Sequence, residues 1–342
     1  MAKELTAEEK FELIKRNTEE IITESELKEL LKKKKKPVVY WGTAPTGKPH
    51  IGYFFPMLKV ADLLKVGFKV KILLADLHAA LDNVPWPILE KRYDYYAKII
   101  PLLLKAIDVD TKNLEFVKGS DFQLKPEYMY DVLQMSSNVS VHDANKAASE
   151  VVKQGDNPKL SGIIYPIMQA IDEQYLEVDA QLGGTDQRKI MVLARENLPK
   201  LGYNSRIEII TPIIPGLIGK KMSSSDEKSK IDLIDNDETI KKKIVNAECV
   251  AGDPDNGVMA FLKYVIITIK QDKKEKFVVK RDKKFGGDLV YSNYESIEKD
   301  FVNKSLHPLD LKNAVAEEIV KMLKPIQKEK NILDKLAKEA YG

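Results

Sequence analysis

The chain has 342 residues, 44% hydrophobic and 31% charged, which excludes a disordered chain and leaves room for two domains of about 100–200 residues each. A single cysteine, Cys249, excludes a disulfide scaffold and a thiolate zinc cluster and fits a reducing compartment. The net charge of +3 announces no nucleic-acid binder as a total, no apolar run reaches the roughly 18 residues of a membrane helix, and the charged start Met1–Lys10 lacks a signal-peptide core.

Thr6 with Glu9 forms a capping box that opens a helix through Phe11, Leu13 and Ile14. A second box, Thr23 with Glu26, opens a helix that ends in the lysine run before Pro37. Val38 to Gly42 reads as a buried strand, followed by a turn-rich loop over Thr43–Pro49 and a helix from about Ile51 to Val66. The strand Val70–Asp76, a long helix over Pro87–Ile107 and the short strand Leu114–Val117 come next. Such alternation implies right-handed crossovers and a parallel sheet. Tyr128–Gln154 reads as a helical insertion over that sheet. Ile163–Gln174 predicts another helix, Asp179–Gly184 a strand into a glycine turn, Asp186–Leu198 a helix and Arg206–Ile210 a strand. After the polar segment Ser223–Ser229 the pattern changes. Helices over Asp237–Asn246, Gly257–Ile269 and Asp310–Tyr341 surround a β-rich patch at Phe277–Tyr291. The expected architecture is a Rossmann-like α/β domain over 1–234, with the insertion at about 125–160, and a mostly helical domain over 235–342.

The charge is unevenly placed. Residues 1–235 carry 34 basic and 34 acidic side chains, and residues 236–342 carry 21 and 18, so the whole excess lies in the last third. Lys263–Lys284 alone holds nine basic and three acidic residues. A concentrated basic face suits a phosphate backbone, although charge alone favours a solvated lysine face.

The segment Thr43-Ala44-Pro45-Thr46-Gly47-Lys48-Pro49-His50-Ile51-Gly52-Tyr53 joins a strand to a helix. Ligands of open parallel sheets sit there, where a triphosphate meets backbone N–H groups and the positive helix end. His50 can donate to phosphate oxygens, and Gly52 lets a flat base approach the backbone. Neither a Walker loop nor a dinucleotide fingerprint is present. About 170 residues downstream, Gly219-Lys220-Lys221-Met222-Ser223-Ser224-Ser225 supplies a lysine pair and three hydroxyls.

Together these two segments resemble the signature loops of class I aminoacyl-tRNA synthetases. His50-Ile51-Gly52-Tyr53 stands at the H-I-G-H motif and Lys221-Met222-Ser223-Ser224-Ser225 at the K-M-S-K-S loop. Tyr53 replaces the second histidine and Ser224 the second lysine, which puts the phosphate-binding load on His50 and Lys221. Within the class the chain is most similar to the tyrosine-specific synthetases of the archaeal and eukaryotic cytosolic type, from Phe11 to about Lys328. Four segments carry that likeness: Tyr40–Thr43, Leu74–Ala79, Tyr165–Asp172 and Gly183–Lys189.

Tyr165, Gln169 and Asp172 are spaced to share one helical face, and Tyr40 with Asp172 can pair a phenolic hydroxyl. The resemblance implies tyrosine binding by Tyr40, Ala75, His78, Tyr165, Gln169, Asp172 and Gln187. It also implies ATP binding by Gly42, His50, Gly52, Lys221, Met222, Ser223, Ser224 and Ser225, with Thr46 a further helper. ATP is expected to bring Mg²⁺, and no protein-bound metal is expected. For tyrosine tRNA it points to Arg188 and Lys189 at the acceptor stem and to Phe285 and Asp288 at the anticodon. A homodimer in the cytoplasm, with no membrane association and no appended domain, completes the expectation. A pocket of this kind rejects the analogue lacking the hydroxyl by about 10⁵ without editing, a magnitude for which tyrosine-specific synthetases are themselves the reference case. Two other readings share these loops: a tryptophan-specific synthetase, and a non-catalytic RNA-binding paralogue. A general nucleotidyltransferase would leave the Phe285–Asp288 segment unexplained.

Overall fold

The structure, a computed structural model, describes residues 5–152, 157–219 and 230–342. Both capping boxes form. The Thr6 side chain accepts from Glu9 N–H and Glu9 reaches back to Thr6, opening the helix Ala7–Lys15. Thr23 and Glu26 do the same for Glu24–Lys33.

A six-stranded sheet is the centre of the molecule. Its strands are β1 (Glu20–Ile22), β2 (Val38–Thr43), β3 (Lys69–Leu74), β4 (Leu114–Lys118), β5 (Ala180–Gly184) and β6 (Ile207–Thr211), in the order β1-β6-β5-β2-β3-β4. β2 to β6 run parallel, and β1 closes the edge antiparallel to β6. β2, β3 and β4 step one way across the sheet and β5 and β6 step the other. The strand order therefore reverses between β2 and β5, where open α/β sheets bind their ligands. Alternation along β2 divides its side chains: Val39 and Trp41 pack with Phe54 and Tyr95 on one face, and Tyr40 packs with Ile167 and Ile171 on the other.

Several boundaries differ from the sequence reading, each for a visible reason. Asp76 does not end a strand; it starts the helix Asp76–Leu81, and its Oδ1 accepts from Ser120 N–H at 2.9 Å. The insertion forms two helices, Pro126–Asn138 and Val141–Ala148, because Ser140 caps the second through Asp143 N–H. Gly257–Ile269 is interrupted: an α-helix over Gly257–Phe261 passes through a π segment, Leu262–Ile267, into Thr268–Asp272. Within Phe277–Tyr291 only β7 (Phe277–Val279) and β8 (Leu289–Tyr291) pair, as a hairpin. Asp310–Tyr341 is two helices, Pro308–Gln327 and Lys330–Tyr341. Folding back after Gln327 lets Leu333, Ala337 and Ala340 bury themselves, and the last helix packs on Leu89–Ala106. Strand β1 and the helix Tyr294–Val302 had no counterpart in the sequence reading.

The apolar interior is continuous between the sheet and the C-terminal helices, uniting Phe11, Phe54 and Tyr95 with Ile240, Phe261 and Leu333. Arg16 reinforces that join by pairing with both Asp62 and Asp272. Among the described residues no helix is long and apolar enough to cross a membrane. Replacing Thr23 by alanine removes one capping acceptor and is expected to cost about 1 kcal/mol, read as a lower urea midpoint with an unchanged slope.

Candidate active site

A cleft of about 940 Å³ opens over the carboxyl ends of β2 and β5, walled by Tyr40–Thr43 on one side and Gln181–Gly184 on the other. The β2 strand delivers Tyr40 and Gly42, and the loop after it Thr46 and His50. Ala75 and His78 come from the end of β3 and the short helix that follows. From the helix Ser161–Tyr175 come Tyr165, Gln169 and Asp172, and Gln187 follows β5. Ten residues read from the sequence thus meet in one cleft.

The closed end is polar and dry. Tyr40 and Asp172 are each 1% exposed. Asp172 Oδ1 accepts from Gln123 Nε2 and from Tyr128 Oη, both at 2.8 Å. Neither Asp172 Oδ2 nor the Tyr40 hydroxyl has a hydrogen-bond partner among the described residues. Burial lifts the Asp172 carboxyl to about 7, with Gln123 and Tyr128 opposing the shift. It likewise raises the Tyr40 phenol, helped by the neighbouring carboxyls of Glu173 and Asp172. His78 stands edge-on to Tyr165 at 4.6 Å, with Nδ1 3.3 Å from Gln123 Nε2 and Nε2 3.8 Å from Asp172 Oδ2. Burial holds it down to about 4, so the ring is neutral. Nearer the mouth, Gln169 Nε2 donates to Gln187 Oε1 at 3.1 Å, which aligns the two amides.

At the other end His50 caps the turn Ile51–Tyr53, its Nδ1 accepting from Gly52 N–H at 3.2 Å. The ring proton therefore sits on Nε2. Burial, and then the charge of Lys230, keep His50 near 4 and neutral. Gly52 commits its N–H to His50 and is not part of the cleft wall. The segment after residue 229 returns beside this loop: Ile51 N–H donates to Ile231 O at 3.1 Å, and Lys230 lines the cleft. Lys221, Met222, Ser223, Ser224 and Ser225 lie outside the described residues.

Tyr53 has a task that a motif comparison does not disclose. Its hydroxyl lies 3.3 Å from Thr43 Oγ1 and 3.2 Å from Tyr96 Oη, while Tyr96 donates to Gly47 O at 2.6 Å. Tyr341 also donates to Gly47 O at 3.1 Å, and Arg92 donates to Thr46 O. Phenols and a guanidinium thus fasten the loop by its carbonyls.

The remaining candidates lie elsewhere. Arg188 is paired with Glu20, and Lys189 with Glu150 and Ser149. Phe285 is 63% exposed at the end of the turn Lys283–Phe285, ahead of Gly286 and Gly287, whose φ of 94° and 75° suit glycine. Asp288 Oδ1 accepts from Arg281 N–H at 3.0 Å. No group of three or more His, Cys, Asp or Glu suited to a metal occurs among the described residues.

Comparison with known proteins agrees with this geometry. The family described as tRNA synthetases class I (W and Y) matches residues 32–324. The cytoplasmic tyrosine–tRNA ligase of Saccharomyces cerevisiae is 47% identical over 94% of this chain and 84% of its own. The chain belongs to the class I tyrosyl-tRNA synthetases. A solved synthetase of this family from Archaeoglobus fulgidus, complexed with L-tyrosine, is 41% identical with a TM-score of 0.88, covering 94% of this chain and 99% of that one. The Danio rerio cytoplasmic ligase is 51% identical over the whole chain, which spans 64% of that relative's length.

Gln123, Tyr128 and Gln181 were missed by sequence reasoning. Gln123 comes from the short helix Ser120–Gln123 and Tyr128 from the insertion, and only the fold brings them beneath Asp172. Asp172→Asn is expected to raise the melting temperature at pH 8 and not at pH 4. The folded carboxyl sits near 7 against 3.8 in its ordinary state. Its contribution is therefore complete below the lower value and lost as pH rises through the upper one. Melting curves at the two pH values check this.

Proposed function

We propose that the protein activates L-tyrosine with ATP and transfers the tyrosyl group to the 3′ end of tyrosine tRNA. One observation carries the choice of substrate: the two unpartnered polar atoms at the closed end, Tyr40 Oη and Asp172 Oδ2. A phenol donates to the carboxylate and accepts from the tyrosine hydroxyl, so it satisfies both. An indole N–H only donates and leaves Tyr40 unmatched. Tyr165, Gln169 and Gln187 hold the substrate's ammonium and backbone, and Ala75 and His78 wall the ring.

ATP lies across the mouth with its phosphates toward His50 and Thr46 and its base near Gly42. Lys221, with Met222, Ser223, Ser224 and Ser225, contacts the outer phosphates, a reading supported by the motif match alone. Mg²⁺ travels on the nucleotide as part of the substrate. The tyrosine carboxylate attacks the α-phosphate in line and pyrophosphate leaves with the β- and γ-phosphates. The terminal ribose hydroxyl of tRNA then attacks the carbonyl carbon, releasing AMP. Neutral His50, donating through Nε2, stabilises charge on the phosphate oxygens without a covalent step. Pyrophosphate exchange is expected with tyrosine and not with tryptophan, and His50→Ala is expected to lower kcat by roughly 10²-fold. Exchange that proceeds with tryptophan, or at the original rate in the His50 variant, contradicts the reading.

Phe285 and Asp288 would meet the anticodon, the exposed ring stacking on a base and the carboxylate accepting from its edge; Arg188 and Lys189 would meet the acceptor stem. Asp288→Ala is expected to reduce tRNA charging about tenfold or more while exchange is unchanged, since a lost base-edge contact costs about 1–3 kcal/mol. A cytoplasmic location is supported by the names of the relatives, and a homodimer by an exposed apolar surface on and beside the insertion, with Leu124, Tyr130, Leu133 and Val141 each at least 64% exposed. Leu133→Glu is expected to shift the sedimentation of the protein from dimer to monomer.

A further inference from the structure

Beneath the cleft lie polar side chains that the proposed reaction does not use. In the strand register Tyr40 on β2 pairs with Gln181 on β5, and Gln181 pairs with Glu208 on β6. Residues paired across neighbouring strands project from the same face. A single polar row therefore runs from Tyr40 across the sheet. The helix Ser161–Tyr175 covers that face and adds Glu173, the residue after Asp172.

Every member is shut off from solvent: Glu173 and Glu208 are 0% exposed and Gln181 3%. No described residue hydrogen-bonds either carboxyl oxygen of Glu173 or Glu208, or Gln181 Oε1. The cations nearby make their hydrogen bonds elsewhere, and Arg206 Nε makes none among the described residues. Arg206 donates to Gln174 Oε1 and Asn204 O, and Arg195 to Glu26 and to the carbonyls of Ile22 and Arg206. Acids buried together in a dry interior do not all ionise, and a protonated carboxyl gains an O–H donor to offer its neighbours in the row. Gln181 also lines the cleft, so the row reaches the substrate site.

We propose that Glu173 and Glu208 are neutral acids which, with Gln181, form a buried polar row against Tyr40 and beside Asp172, so that selection for a phenolic hydroxyl depends on them. The proposal rests on the tyrosine reading above. These two glutamates are positioning residues and touch no reacting atom. Burial raises both glutamates well above the usual carboxylate range; the charge of Asp172 adds at Glu173 and that of Glu173 at Glu208, while Arg206 and Arg195 oppose the shift at both. A charge appearing in this row at high pH faces Asp172 and Tyr40 directly.

The test uses the full chain and four variants: Glu173→Leu, Glu208→Leu, Glu173→Gln and Glu208→Gln. Pyrophosphate exchange with tyrosine and with phenylalanine gives the ratio of kcat/KM for each. The leucine variants are expected to lower the tyrosine preference by roughly tenfold or more with KM for ATP unchanged, because a hydroxyl-reading site loses its alignment. The glutamine variants, isosteric and neutral at every pH, are expected to keep the preference. They also remove the wild type's loss of tyrosine affinity toward alkaline pH. An unchanged preference in folded leucine variants overturns the proposal. Should those variants fail to fold, infrared difference spectra decide. A protonated-carboxyl component at pH 6 that is lost when one glutamate becomes glutamine, over and above the band Asp172 keeps in both proteins, supports a neutral acid at that position, and no loss in either variant overturns the proposal. A wild type inert toward tyrosine refutes the functional reading itself, and the infrared band, which needs no turnover, reports on the row independently.

Discussion

Asp172 is an ionisable group with almost no water around it, and its two oxygens have different lives. Oδ1 is held by Gln123 and Tyr128, while Oδ2 faces the cleft without a partner among the described residues. A carboxyl in that position is tolerable only if something fixes it and something else completes it. Gln123 and Tyr128 supply the fixing and a substrate hydroxyl supplies the completion. Much of the surrounding architecture follows from this demand. The helix Ser161–Tyr175 must seat its carboxyl end on the sheet, and Lys71 helps by donating to Leu176 O at 2.7 Å. The helix Pro126–Asn138 must bring Tyr128 close enough to reach both Met168 O and Asp172.

The opposite end of the cleft is governed by backbone rather than by charge. The loop after β2 exposes carbonyls at Thr46 and Gly47, and three side chains from distant helices tie them down. A loop so fixed can present His50 in one tautomer, ready to donate, with no reorganisation when the nucleotide arrives. Such preorganisation is what electrostatic catalysis of phosphoryl chemistry requires. Rigid scaffolding around one loop and an apolar wall around one acid are different means, and the strand reversal between β2 and β5 brings them into a single space.

Legibility in the sequence tracked the range of the interaction. Capping boxes depend on residues three apart, and both formed where Thr6 and Thr23 announced them. Buried parallel strands read well because an apolar run of five or six residues has few other uses. β1 escaped notice because three residues carry no period, and only β6 makes them a strand. The break near Gln327 was invisible because helical periodicity continues through it; the tertiary surface of Leu89–Ala106 decides the fold-back. Tyr40 and Asp172 could be named from spacing and motif. Gln123, Tyr128, Glu173 and Glu208 could not, since their meaning is contact across chain distance. Tyr53 was read as a lost histidine, whereas the structure makes it a fastening between Thr43 and Tyr96.

The short antiparallel strand β1 has a further consequence for the molecule among its neighbours. A parallel sheet ending at β6 would offer a row of open amides and carbonyls to any passing chain. β1 occupies that row for three residues, and Arg188 with Glu20 and Arg195 with Glu26 set charged pairs along it. The edge on that side is thereby reduced to a strand of three residues set among charged pairs, a poorer template for strand addition than the five residues of β6.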